Sequence, residues 1–107
     1  MSKSEARFQA LVESFPSLRR AQGAAPWDAT KFLVWLCSTG LSHGELLAAR
    51  FVLGVWNAHA DWEKEAKLAG MQSPAAAKRF DLLEAAGVWD RAHLDALQAW
   101  LEEPFWP

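Results

Sequence analysis

Residues that cap helices recur along this chain at intervals that leave room for short helices and for little else. Ser2 with Glu5 and Ser42 with Glu45 have the spacing in which a hydroxyl and a carboxylate satisfy each other's backbone N–H groups at a helix start. Asp28, Asp61 and Asp90 each stand ahead of a run suited to a helix, and Ser73–Pro74 reads as a cap followed by the proline tolerated in a first turn. Stop signals alternate with these starts. Pro16, Gly40, Gly70, Gly87 and Pro104 fall where a helix must end.

The apolar periodicity between these marks is helical. Phe8, Leu11, Val12 and Phe15 share one face of a helix over 3–15. Residues 16–27 hold two prolines and a glycine with no period, which predicts a loop carrying Arg19 and Arg20. A second helix over 29–39 uses Phe32, Leu33, Trp35 and Leu36, with Gly40 in the left-handed position and Leu41 closing back onto Leu36. From Leu46 to Trp56 everything is apolar or small except Arg50, so this third helix is the central one. A break at 57–60 is preferred to one helix over 43–69, because Asn and Asp compete for backbone hydrogen bonds.

The spacing then predicts a short helix from Asp61 to Gly70 and a fifth over 74–86. That fifth helix should turn Phe80 and Leu83 inward and end in a left-handed Gly87. The last begins at Asp90 with Leu94, Leu97, Trp100 and Leu101 inward, leaving an apolar tail at 104–107. No stretch alternates as a strand would. The expected fold is all-α, one domain over 1–107 with five to six short helices packed around the third, and a chain of 107 residues can bury about two thirds of its unfolded surface.

Composition narrows the function classes. A formal net charge of −2 with 51% hydrophobic and 22% charged residues excludes a disordered or polyanion-seeking chain. The longest apolar run, Phe32 to Cys37, is far short of the ~20 residues that cross a bilayer. With no secretory leader pattern and a lone Cys37, the expectation is a cytoplasmic protein that binds neither membrane nor nucleic acid. A helix-turn-helix reading of the last two helices fails on charge, since Arg91 faces six acids between Asp81 and the C-terminus.

Chemistry-bearing residues are few. His59 and Glu63 stand four apart with Asp61 between them, but two or three mixed ligands are read as solvated or capping side chains, and His43 and His93 as standing alone. Cys37 lies in an apolar run and is read as packing. Glu45, Asp61 and Asp90 are read as caps, so no catalytic residue, metal site or cofactor is expected, and no enzyme.

Two features remain. Arg50 would be costly to bury alone; it either bridges to Asp81 or Glu84, snorkels to solvent, or anchors an anionic ligand. Seven Trp and six Phe with no Tyr are more rings than so small a domain easily hides. The leading expectation is a non-catalytic interaction module that binds another protein or itself, as a homodimer, through Trp62, Phe105 and Trp106. The alternative is a small-ligand sensor or carrier with a pocket between helices lined by Trp and Phe and with Arg50 as anion anchor.

Overall fold

The computed structural model describes residues 2–107. Its six α-helices are α1 (Lys3–Ser14), α2 (Ala29–Ser38), α3 (His43–Trp56), α4 (Trp62–Leu68), α5 (Leu82–Val88) and α6 (Arg91–Glu102). Tight 3-10 turns occupy Pro16–Leu18 and Pro74–Ala77, and no strand occurs among the described residues. The all-α expectation holds.

Every α-helix starts on a side-chain oxygen that accepts one of its orphan N–H groups. Ser2 takes the N–H of Glu5 at 3.1 Å, Asp28 that of Lys31 at 3.0 Å, Asp61 that of Lys64 at 3.1 Å and Asp90 that of His93 at 3.0 Å. Ser42 and Glu45 form the reciprocal box ahead of α3, at 3.3 and 3.0 Å. That exchange of hydrogen bonds holds the Glu45 carboxyl below its ordinary pKa.

α3 is the axis of the fold. Leu47 through Leu53 are all buried, and α1, α2, α5 and both 3-10 turns pack against this helix. Phe8 on α1 meets Trp27 at 4.7 Å and Trp56 at 5.1 Å between ring centroids. A second group joins Phe51 to Phe15, Phe80 and Trp100 at 5.5, 5.2 and 5.4 Å. Of the indoles, Trp89 is buried, Trp106 is exposed and the other five sit at the edge of the core. Three of these N–H groups donate to backbone carbonyls: Trp62 to Leu53, Trp89 to Gly44 and Trp100 to Phe105.

The 16–27 segment is part of the core rather than a cover over it. Leu18, Ala21 and Ala24 are buried, and successive N–H groups donate three residues back. Gly23, at φ +79°, closes the segment. A Cβ there would stand 2.6 Å from both the Asp28 carbonyl oxygen and the Phe32 nitrogen. The predicted break after Trp56 is present, with Asn57 Oδ1 accepting from the His59 N–H. α4 ends on a left-handed Gly70, where the Met71 N–H reaches back to the Ala66 carbonyl. Gly40 is left-handed as expected.

The helix expected over 74–86 is not there. Pro74–Ala77 makes a single 3-10 turn, Lys78 is extended at ψ 169°, and Asp81 restarts the chain as α5 by accepting the Glu84 N–H at 3.0 Å. Asp81 is the better cap, since the Ser73 side chain caps nothing, and the extended step delivers Phe80 onto Phe51. The three-residue spacing of Phe80 and Leu83 therefore defines no common face. Leu83 is 83% exposed, and the face α5 buries is that of Ala85. Gly87 lies within α5 without positive φ, so the left-handed stop predicted there is also corrected. Leu101, expected inward, is 54% exposed.

Candidate functional site

The break after α3 and the extended step before α5 leave a groove of about 680 Å³ whose floor is Arg50, Leu53 and Gly54 of α3. One wall is the 57–63 stretch with Trp62, and the other is Ala77 to Asp81 with Glu84. Arg50 is only 6% exposed. Its Nε donates to the Ala76 carbonyl at 2.9 Å, while its Nη1 is buried with no hydrogen-bond partner. Burial is the larger influence on this guanidinium and pulls its pKa down, against an upward push from Glu84 and Glu63. It stays charged at neutral pH.

The bridge from Arg50 to Asp81 or Glu84 is not made. Asp81 is spent as the cap of α5, and Glu84 Oε2 lies 3.5 Å from His43 Nε2 instead. The groove thus presents a desolvated cation with unused hydrogen-bonding capacity, and Lys78 and Arg79 stand at its rim beside Glu63 and Asp81. Such a guanidinium suits a carboxylate or phosphate oxygen, whose charge-assisted bonds are strongest where water is excluded.

The three aromatic residues singled out as a partner surface lie in two places. Trp62 lines the groove, half-buried, with its N–H taken by Leu53, so it is not the exposed ring expected. Phe105 and Trp106 belong to the tail, which folds back over α1 and α6. The Arg7 guanidinium sits 4.1 Å over the Phe105 ring, the Trp100 N–H donates to the Phe105 carbonyl, and Trp106 meets Trp100 edge-on at 5.5 Å. Trp106 nevertheless remains 62% exposed.

His59 precedes α4 and is exposed, so it shares no helix face with Glu63, and no group of three metal-ligating side chains occurs among the described residues. Cys37 is half-buried, and burial pushes its thiol pKa up, away from nucleophilic use. His93 does not stand alone. Its Nε2 is 2.8 Å from Ser17 Oγ and its Nδ1 is 2.8 Å from Asp90 Oδ1. The three-residue spacing of Asp90 and His93 was visible in the sequence, whereas Ser17 arrives from 76 positions away.

No family model matches the chain, and neither a curated protein nor a solved structure matches it.

Proposed function

We propose that this small helical domain binds a compact anionic ligand, a carboxylate or a phosphate, in the groove between α3, α4 and the 77–84 segment, with Arg50 as its anchor. The observation that carries this reading is the buried Arg50 Nη1, which has no hydrogen-bond partner in the groove floor and which neither Asp81 nor Glu84 reaches. A buried guanidinium with unmet N–H groups costs free energy that an oxyanion would return. Trp62 in the wall supplies the readout, because a ligand seated on Arg50 changes the surroundings of its indole. Titrating the protein with acetate, glutamate, inorganic phosphate and adenosine monophosphate should give saturable quenching with at least one of them. Arg50→Met, of similar length and uncharged, should weaken that binding at least about tenfold while preserving the helical circular dichroism. No quenching by any of the four, or equal affinity in a folded Arg50→Met, refutes the reading.

A second reading has its own observation: Leu82, Leu83, Val88, Leu101 and Trp106 leave large apolar area in water. This favours association with another protein or a second copy of the chain, the tail residues Phe105 and Trp106 taking part. Light scattering at micromolar concentration should then give the mass of a homodimer, and deleting residues 104–107 should lower it to that of a monomer. A cytoplasmic setting is part of the same proposal; a half-buried, unpaired Cys37 suits a reducing compartment. No helix among the described residues is long and apolar enough to cross a membrane.

A further inference from the structure

The cluster on the other side of α3's start has the geometry of an activated alcohol. Ser17 sits in the 3-10 turn after α1, His93 in the first turn of α6, and Asp90 at the cap of that helix. A carboxylate can only accept, so Nδ1 of the neutral ring carries the proton shared with Asp90 Oδ1 at 2.8 Å. Nε2 is then free to accept the Ser17 hydroxyl, also at 2.8 Å. His93 is well packed, its side chain 12% exposed, with its ring 5.9 Å from that of Phe15 and 5.8 Å from that of Trp89. Asp90 is held ionised, its pKa lowered first by the His93 backbone N–H and then by the His93 side chain. Glu45 lines the cleft at these groups, its carboxylate accepting the Ser42 N–H. Asp90 Oδ1 is therefore the carboxylate oxygen that meets the imidazole, and it fixes the tautomer that leaves Nε2 as the acceptor.

A cleft of about 170 Å³ opens at these groups, lined by Ser17, His93, Gly44, Glu45 and Trp89. That is room for about six water volumes, enough for a short acyl group. We infer that Ser17, His93 and Asp90 form a nucleophilic site that hydrolyses small carboxylic esters through an acyl-serine. In the first half-reaction Ser17 Oγ bonds to the carbonyl carbon as its proton passes to His93 Nε2. The same proton then leaves with the departing alkoxide, as the alcohol, when the ester C–O bond breaks. In the second, a water oxygen bonds to the acyl carbon as a water proton moves to Nε2; the bond from that carbon to Ser17 Oγ then breaks, Oγ takes the proton from Nε2, and the carboxylic acid departs. Ester and water become acid and alcohol, and nothing is oxidised or reduced. Ser17 and His93 are the catalytic residues; Asp90 is a positioning residue that fixes the ring's tautomer.

The experiment uses the full chain with an alkyl fluorophosphonate and with p-nitrophenyl acetate. The expected results are a mass adduct on Ser17, formed as fluoride leaves phosphorus, and a burst of nitrophenol equal to the protein present. Ser17→Ala should cut ester hydrolysis at least about tenfold, leaving the background of an isolated imidazole. Asp90→Asn, which keeps a capping side chain, should slow hydrolysis and shift the His93 ring-nitrogen NMR signals to the other tautomer. Ser17→Cys guards against loss of fold in the alanine variant: its thiol should react with iodoacetamide at least about tenfold faster than Cys37. Absence of a Ser17 adduct, hydrolysis unchanged in a folded Ser17→Ala, or equal labelling of the two thiols in Ser17→Cys each overturns the inference. The contacts of His93 are then a structural tie between the turn and α6.

Discussion

Residues 2–56 and residues 57–107 solve the same problem in different ways. The largest fully buried side chains, Phe8, Phe15, Phe32, Leu18, Leu36, Leu47, Leu53, Val12 and Val52, all belong to the first half. The large hydrophobic residues left exposed, Leu68, Leu82, Leu83, Val88, Leu101 and Trp106, all belong to the second. The first half supplies most of the core around α3, and the second joins that same core chiefly through small residues such as Ala66, Ala77 and Ala85 and through Trp89 and Leu97. Where the second half meets the first, the fit is incomplete. Two clefts lie along this seam, one on Arg50 between α3 and residues 57–84, the other between the Ser17 turn, the start of α3 and the start of α6. Candidate chemistry collects at this seam, where polar side chains lie beside open space.

The contrast is most exposed to test by truncation. Phe32→Ala, in the first half, should cost about 3–5 kcal/mol in urea unfolding, since it empties a site sealed by Trp27 and Trp35. Leu83→Ala, on a residue as apolar but in the second half, should change stability by less than about 0.5 kcal/mol. Comparable losses in both would mean that the second half is packed as tightly as the first.

Two glycines should respond with opposite signs. Gly23→Ala places a Cβ against the Asp28 and Phe32 backbone in a left-handed conformation and should destabilise by about 1–3 kcal/mol. Gly87→Ala, inside α5 with nothing within 4 Å of the new Cβ, should stabilise by about 0.5–1 kcal/mol. Thermal melts decide it. A destabilising Gly87→Ala would restore the left-handed stop that the sequence pattern suggested.

The caps sharpen the same boundary. Asp81→Ala should cost about 1 kcal/mol because Asp81 begins α5, whereas Ser73→Ala should fall within about 0.5 kcal/mol. The reverse order would mean that a helix starts at 74.

The smallest effect concerns acid. The Asp90 and Glu45 pKa values are lowered in the folded protein by the hydrogen bonds their carboxylates accept. The stabilisation from each is fully present above the ordinary carboxylate pKa of about 4 and is lost as pH falls through the lower folded value. Carbon NMR titration should place both midpoints below those of free Asp and Glu. Asp90→Ala should flatten the acid limb of the stability curve, and a midpoint at the ordinary value would remove Asp90 as a held anion.

Much of the first half was legible in the chain because its signals are local and agree. At Ser42, Glu45 supplies the return bond of the box and the apolar run follows at once, so cap, face and stop point one way. Around Ser73 they conflict: a serine and a proline announce a helix, but Asp81 offers a stronger cap eight residues later, and Phe80 gains more by reaching Phe51 than by completing a helical stripe. Of the sites, Arg50 could be singled out because a charge in an apolar helix is conspicuous in one dimension. His93 could not, since its partner Ser17 lies in a segment whose pattern says only that it turns.

By itself the sequence determined the class of fold, the position of α3 at its centre and most helix starts, since each rests on hydrogen bonds and side-chain periodicity within a few residues of one another. The tertiary structure alone decided which acid Arg50 would meet, and the outcome is none: Asp81 caps α5, and Glu84 turns toward His43 rather than reaching the guanidinium. It alone decided that the tail would fold onto α1 and α6 and that Ser17 would stand beside His93. Those outcomes depend on which surfaces win the competition for α3, and that competition is settled by packing among residues far apart in the chain.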